Sequence, residues 1–127
     1  MKENKAFSFG RYYEDFCPGD IIKHQVRKTV TESDNNLFCL LTMNHHPVHL
    51  DQDYAAKAQH GKVLVVGTLV FSLVVGLTVA DISGKAIANL GYESVNHDAP
   101  VHVGDTLRAE TEVLELRPSS SKTDRGI

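Results

Sequence analysis

The strongest constraint in this chain is an uncharged run of 18 residues, 63–80, which has to leave water when the chain folds. Its length reaches the lower limit for a helix that crosses a membrane. Small and hydroxyl-bearing side chains dilute the run and no aromatic belt flanks it, so we predict a core helix over residues 68–80 and no membrane partner. We expect this helix to be fully buried, with a stripe of small residues that lets it lie against another backbone: Thr68, Ser72, Gly76 and Ala80.

Composition excludes several classes of protein. The 127 residues suffice for one domain, 1–127, and basic and acidic side chains are interspersed to give a formal charge of -3. Such a surface does not attract nucleic acid. Cys17 and Cys39 are too few and too isolated for a disulfide framework or a zinc site, and the N-terminal residues contain no secretory apolar segment. We therefore predict a cytoplasmic protein.

Three segments alternate between apolar and polar residues, as strands with one wet face do. They are residues 22–30, 85–93 and 107–113. In the first, Ile22, Val26 and Val30 share the face that we expect to be buried. A turn at residues 118–121 precedes residues 125–127, which have the pattern of the start of a further strand.

Helix signals lie between these strands. Thr31 with Asp34 predicts the start of a helix over residues 32–42. Its apolar stripe consists of Leu37, Phe38, Leu40 and Leu41. Asp51 is expected to cap a second short helix, which Gly61 ends. An antiparallel sheet wrapped around one apolar helix accounts for the order of all these elements, so the predicted class is α+β.

Three of the seven histidines lie around Pro47, directly after the first predicted helix. An imidazole donates a hydrogen bond at one nitrogen, accepts one at the other and moves protons near neutral pH, so chemistry is expected here. Because proline disfavours a helical residue before it, we predict that His45, His46 and Val48 lie on a loop. Adjacent histidines without a carboxylate at fixed spacing do not indicate a metal site. The remaining histidines have no motif around them and are predicted surface residues: His24, His60, His97 and His102.

The chain resembles the MaoC-like dehydratases, the family of (R)-specific enoyl-CoA hydratases with the hot-dog fold. The resemblance covers most of the chain and rests on the segments 10–16, 19–20, 29–31, 47–51, 54–55, 100–101 and 104–107, together with Gly67. It implies a single hot-dog domain in which an antiparallel sheet wraps around one long buried helix. Family members usually continue through two more strands, so the C-terminal strands of that domain are expected to be incomplete here.

In that family the loop reads D-x-N-P-x-H, and its aspartate and histidine add water across a trans-2-enoyl thioester. The resemblance assigns the catalytic histidine to His49, the aspartate to Asn44 and the motif asparagine to His46. A neutral amide orients water by hydrogen bonds but cannot take its proton, so the usual acid/base pair is incomplete. Asn44 has a second reading as a cap at the end of the first helix, and Asp51 reads as a helix cap rather than a catalyst.

Three functions remain open. In the first, His49 transfers the proton while Asn44 positions the water, with help from His45 or His46; this resembles a subgroup that acts on branched or dicarboxylic acyl-CoAs of the mesaconyl type. In the second, the protein binds acyl thioesters without hydrating them. In the third, it is a hot-dog thioesterase, against which the loop motif argues.

The resemblance also implies how the substrate is held. Backbone N–H groups at a helix N-terminus polarise a thioester carbonyl well, and Gly67 is the candidate. The family often has a histidine just before this glycine, where this chain has Val66. The other implied substrate contacts are His45 and His46. No cofactor is implied besides a CoA thioester as substrate, and the implied partner is a second copy in a homodimer whose sheet edges join.

Overall fold

The computed structural model describes residues 8–127; residues 1–7, part of the N-terminal segment that lacks a secretory pattern, lie outside it. The helices are α1 (Glu32–Leu41), α2 (Pro47–Leu50), α3 (Gln52–Lys57) and α4 (Gly67–Thr78), with single-turn 3-10 helices at Tyr13–Asp15 and Ser83–Lys85. The strands are β1 (Ile21–Lys23), β2 (Lys28–Thr29), β3 (Thr106–Leu107) and β4 (Glu110–Glu112). The predicted α+β class is confirmed, although the order of elements differs in two places described below.

The four short strands form two antiparallel pairs that follow one another along the same two stretches of chain. β1 pairs with β4, with Ile21 opposite Glu112, and β2 pairs with β3, with Lys28 opposite Leu107. The register shifts by two residues between the pairs, so residues 24–27 bulge opposite residues 108–109. The prediction of an unbroken strand over residues 22–30 is therefore wrong in its middle, and Val26, expected to be buried, is 59% exposed.

His24 lies in this bulge and is buried, so its prediction as a surface residue is wrong. Its Nδ1–H donates to the Asp81 carboxylate at 2.8 Å, and its Nε2 lies within hydrogen-bond distance of the Thr111 hydroxyl, at 2.7 Å. Asp81 follows α4 and Thr111 lies in β4, so the ring joins the end of the helix to the sheet. A buried imidazole needs both partners, which the strand pattern alone does not reveal.

Capping motifs define both ends of α1. Thr31 Oγ1 accepts from the Asp34 N–H at 3.2 Å and Asp34 Oδ2 accepts from the Thr31 N–H at 2.8 Å, which is the predicted capping box. At the other end Met43 is left-handed, with φ of 63°, and the Asn44 N–H donates to the Cys39 carbonyl at 3.0 Å. This end of α1 sets the path of the chain into α2.

The buried face of α1 differs from the prediction. Asn35 and Cys39 are buried and Phe38 packs against the core. The leucines of the predicted stripe are exposed instead: Leu37, Leu40 and Leu41. The rotation of the helix follows from the hydrogen bonds of Asn35 to two other segments, which hold that side of α1 inward.

Replacement of Asp34 by asparagine is expected to lower the free energy of unfolding at pH 7. The variant should then lose less of that free energy than the natural protein when the pH is lowered. The Lys28 ammonium at 2.8 Å, with the Thr31 N–H and hydroxyl, lowers the pKa of Asp34 from 3.8 to about 2. A lowered carboxyl pKa stabilises the fold above the unfolded value, and this contribution is lost as pH falls from near 4 toward 2. Solvent screening leaves about 1 kcal/mol of it at pH 7. Urea unfolding between pH 7 and pH 3 measures the effect.

A matched control for Asp34→Asn is Glu32→Gln, which removes a charge from the same helical turn. Glu32 makes no ion pair within the described residues. The two variants should differ by about 1 kcal/mol in their free energy of unfolding at pH 7 and converge in acid. Equal stability of the two at every pH would contradict the assignment.

The segment that leads into α4 and the first half of α4 together supply much of the hydrophobic core. The buried cluster consists of Val30, Cys39, Val65, Val66 and Leu69. The prediction of a fully buried helix is wrong, because Thr68, Ser72 and Gly76 of the small-residue stripe are exposed. In the described chain the sheet covers only one side of α4. Among residues 8–127, no helix combines the length and the apolarity that crossing a bilayer requires.

Residues 85–93 form a connection rather than the predicted strand. The Asn89 side-chain oxygen accepts from the Gly91 N–H at 3.0 Å, a local turn that interrupts the alternating pattern. Tyr92 packs edge-on against Phe71 of α4, with 4.8 Å between the ring centroids. The predicted turn at residues 118–121 is followed by pairing, with Pro118 opposite Gly126.

Candidate active site

The histidine segment is helical where a loop was predicted. Pro47 is the first residue of α2, a position at which its missing N–H costs nothing, so Val48 and His49 lie on a helical turn. His46 caps this turn, with its Nδ1 accepting from the Val48 N–H at 3.1 Å. The loop prediction is therefore wrong for Val48 and right for His45 and His46, which precede α2. Asp51 caps α3 by accepting from the Tyr54 N–H at 2.9 Å, as predicted. The helix ends at Lys57 and not at Gly61, so that part of the prediction is wrong.

The contacts of His49 fix which ring nitrogen carries the hydrogen in the neutral imidazole. Its Nδ1 lies 2.7 Å from the Leu64 carbonyl oxygen, which only accepts, so Nδ1 carries the hydrogen. Nε2 is then a free acceptor, and it has no hydrogen-bond partner within residues 8–127. His46 stands edge-on to His49 with 6.1 Å between the ring centroids, and Tyr54 stands edge-on to His46 at 5.9 Å. A half-buried imidazole held in one orientation with Nε2 free is suited to take up a proton.

Asn44 lies between α1 and α2, close in sequence to the same ring. Its side-chain oxygen accepts from the His46 N–H at 3.3 Å, and its side-chain NH₂ has no partner in the described part of the chain. This side-chain bond does not cap α1, because it points forward to His46; the Asn44 backbone N–H makes the contact at the end of α1, to the Cys39 carbonyl. The side-chain NH₂ is still available to a water. The His45 side chain is exposed and makes no hydrogen bond to the described residues.

Asn35 connects the two halves of the site and was missed by the sequence analysis. It is 1% exposed. Its side-chain NH₂ donates to the His49 carbonyl at 2.9 Å, and its side-chain oxygen accepts from the Val66 N–H at 3.1 Å. The sequence does contain a signal for its burial. Asn35 lies one helical turn before Cys39, on a helix with an apolar side. Burial raises the pKa of the Cys39 thiol, so Cys39 stays neutral beside it.

Gly67 begins α4, as predicted. The N–H groups of Val65 and Val66 bond to the Val101 carbonyl and to Asn35. The next two N–H groups, those of Gly67 and Thr68, have no partner within residues 8–127. Both N–H groups lie at the positive end of the helix dipole. Gly67 follows Leu64, whose carbonyl accepts from His49, by three residues. The side chain of Val66 is buried in the core cluster.

His97 lies against the start of α4, although its sequence position gave no indication of this. A Cβ added to Gly67 would come within 2.9 Å of His97 Nε2 and 3.0 Å of its Cε1. The imidazole thus occupies the space that any other residue at position 67 would need. His97 is exposed, as predicted, and its ring makes no hydrogen bond to the described residues.

The fold and this site define a hot-dog arrangement, with antiparallel strands along one side of a central helix and a histidine near the N-terminus of that helix. Residues 15–126 match the MaoC like domain family, and the chain belongs to that family. The resemblance inferred from the sequence is thereby confirmed, as is the predicted hot-dog fold.

Named relatives include hydratases of CoA thioesters. Mesaconyl-CoA hydratase of Cereibacter sphaeroides is 38% identical over 112 residues, which cover 88% of this chain and 33% of that protein. The (R)-specific enoyl-CoA hydratase of Aeromonas caviae is 35% identical over 95 residues, which cover 75% of this chain and 70% of that protein. The chain spans about a third of the length of the first curated relatives it matches.

A solved structure supports the same assignment. The crystal structure of a MaoC domain protein dehydratase from Chloroflexus aurantiacus J-10-fl is 35% identical to the chain, with a TM-score of 0.81. The match covers 94% of this chain and 33% of that one. The hydratase-type fold is therefore present over nearly the whole of the chain.

Proposed function

We propose that the protein catalyses reversible hydration of the 2,3 double bond of an enoyl-CoA thioester, giving a 3-hydroxyacyl-CoA. His49 Nε2 takes a proton from water while the water oxygen bonds to C3. The imidazolium returns that proton to C2, so one group serves as base and then as acid. Asn44 positions the water with its side-chain NH₂. No cofactor is needed, because the double bond is activated by its own thioester carbonyl.

The single observation that carries this proposal is the orientation of His49. Donation from Nδ1–H to the Leu64 carbonyl leaves Nε2 as a fixed acceptor, the state that a general base needs. The Leu64 carbonyl belongs to the segment that leads into α4, so the base and the free N–H groups of Gly67 and Thr68 are anchored to one stretch of backbone. Those N–H groups would hold the thioester oxygen as negative charge develops on it.

The substrate class comes from the named relatives. The names of the relatives give mesaconyl-CoA, a branched dicarboxylic thioester, and an enoyl-CoA as substrates, so we propose a CoA thioester of one of these two kinds. His45 and His46 border the site on the α2 side, and His46 packs edge-on to His49. Both are proposed substrate contacts, together with Gly67. Val66, also expected to contact the substrate, is not proposed, because its side chain is buried and its N–H bonds to Asn35.

Exposed apolar groups support assembly with a second hot-dog unit, which we propose to be a copy of this chain in a homodimer. Leu41 and Met43, directly before the histidine segment, are 74% and 76% exposed. The paired strands leave open edges that another sheet can extend. The single-domain organisation and the cytoplasmic location also stay predictions; the latter is supported by Cys17 and Cys39, both unpaired.

The test is loss of enoyl-thioester absorbance when purified protein is mixed with crotonyl-CoA, longer enoyl-CoAs and mesaconyl-CoA. Turnover of at least one substrate is expected. Product analysis should find the 3-hydroxyacyl thioester intact. Release of free CoA thiol would instead establish the thioesterase reading, and tight binding without turnover would establish a thioester-binding protein.

The binding reading is supported by Asn44, which replaces the family aspartate. We expect Asn44→Asp to raise hydration of crotonyl-CoA severalfold, because a carboxylate adds a proton acceptor beside His49. Steady-state rates of the two proteins measure the change. Activity that appears only in Asn44→Asp would mean that the natural protein binds thioesters without hydrating them.

A further inference from the structure

The geometry points to His97 as a residue that contacts the substrate, donating a hydrogen bond to the thioester oxygen beside the N–H of Gly67. This inference rests on the proposed function. It starts from the glycine at position 67, where any side chain would collide with the imidazole: Nε2 would lie 2.9 Å from a Cβ and Cδ2 3.3 Å from it. The glycine thus allows an imidazole to approach the backbone at the first residue of α4.

The distances allow one oxygen atom to accept from both groups. Within a residue the backbone nitrogen and Cβ are about 2.4 Å apart, so Nε2 of His97 lies at most about 5.4 Å from the Gly67 nitrogen. Two hydrogen bonds of ordinary length that share an acceptor span up to about 5.8 Å. The separation therefore allows a single oxygen atom to lie within hydrogen-bond distance of both the Gly67 nitrogen and His97 Nε2.

The hydrogen-bonding state of His97 fits this role. Neither ring nitrogen is engaged within the described part of the chain, so Nε2 can carry the hydrogen. The segment before it is held to the same helix, because Tyr92 packs against Phe71, one turn after Gly67. Two contacts along one side of α4 thus place the 92–97 segment over the helix start. His97 can thus donate a side-chain hydrogen bond to the thioester oxygen. Val66, the residue before the glycine, has no side-chain donor.

Two substitutions at His97 distinguish a ring that donates a hydrogen bond to the substrate from a ring that only packs against the helix. His97→Phe keeps a ring and removes the N–H, whereas His97→Gln keeps an N–H donor. With crotonyl-CoA or mesaconyl-CoA, whichever the natural protein hydrates, kcat of His97→Phe should fall about 10- to 100-fold with KM changed less than about threefold. His97→Gln should recover part of the loss. His60→Phe, an exposed histidine outside the site, is the matched control and should change neither constant.

A spectroscopic readout separates this role from packing. The ester is labelled with carbon-13 at the thioester carbonyl and bound to His49→Ala, which should bind without turnover. Binding should lower the carbonyl stretching frequency, and adding His97→Phe should remove part of that shift while His97→Gln retains it. Equal shifts in all three proteins, or unchanged kcat in His97→Phe, would overturn the assignment. If the wild-type protein binds the thioester but does not hydrate it, the proposed function is overturned, and the carbonyl shift still decides the role of His97. If the protein does not bind the thioester, the proposed function and the role of His97 are both overturned.

Discussion

His49→Ala should reduce hydration of the enoyl-CoA substrate about 1,000-fold, the loss typical of removing a general acid and base. The proposed mechanism gives this imidazole both proton transfers, because its Nε2 is a free acceptor on a ring held at Nδ1. His102 is held similarly, with Nδ1 2.8 Å from the Val63 carbonyl, but it lies outside the motif around Pro47. Binding of the thioester should change only severalfold, because Gly67 and Thr68 keep their N–H groups. Initial rates and equilibrium binding of the same substrate measure the two effects.

His60→Ala is the control for this experiment, since His60 is exposed and lies outside the proposed site. The His49 variant also loses the bond to the Leu64 carbonyl, which should lower the free energy of unfolding by about 1 kcal/mol. Chemical denaturation distinguishes that small loss from unfolding. A folded His49→Ala protein with more than a tenth of the natural rate would rule out His49 as the base.

The features that sequence predicted well are those decided by neighbouring residues. The capping box of Thr31 and Asp34 and the cap at Asp51 join residues three positions apart, and both are present. Gly67 was placed correctly at the start of α4 because it separates two local sequence patterns, an extended one before it and a helical one after it. The motif around Pro47 led to the family, which the family match confirms.

The features that sequence missed depend on distant partners. His24 is buried because Asp81 and Thr111 satisfy it, at separations of 57 and 87 positions. Asn35 bonds to Val66, 31 positions away. A polar residue in an amphipathic pattern is normally assigned to the wet face, and only the fold reveals that its partners lie inside.

The burial of α4 was overestimated for a related reason. A helix that is apolar all round must be covered, but the sequence does not say by what. In the described chain the 85–93 segment turns at Asn89 instead of adding a strand, and the outer stripe of α4 stays exposed. The proposed second unit would pack against the exposed stripe of α4 and the exposed leucines of α1.

Asn35→Leu is expected to damage both stability and catalysis, because one buried amide supports both halves of the site. Leucine has the same number of side-chain heavy atoms and the same branching but satisfies neither the His49 carbonyl nor the Val66 N–H. Leaving two buried backbone groups unpaired should lower the free energy of unfolding by about 2–4 kcal/mol. Urea unfolding measures this loss. Asn36→Leu is the matched control, since its neighbouring amide makes no hydrogen bond to the described residues and should cost less than about 1 kcal/mol.

The catalytic part of the effect requires the folded fraction of each protein. Asn35 holds the backbone of the base in α2 to the residue before Gly67, so its loss lets the imidazole and the N–H donors move apart. We expect kcat per folded molecule to fall about 10- to 100-fold, since small displacements of reacting groups have effects of this size. Asn35→Asp keeps an acceptor for the Val66 N–H but lacks a donor to the His49 carbonyl, so it should lose kcat as well. Folded Asn35→Leu with natural kcat would mean that Asn35 stabilises the fold without positioning the site.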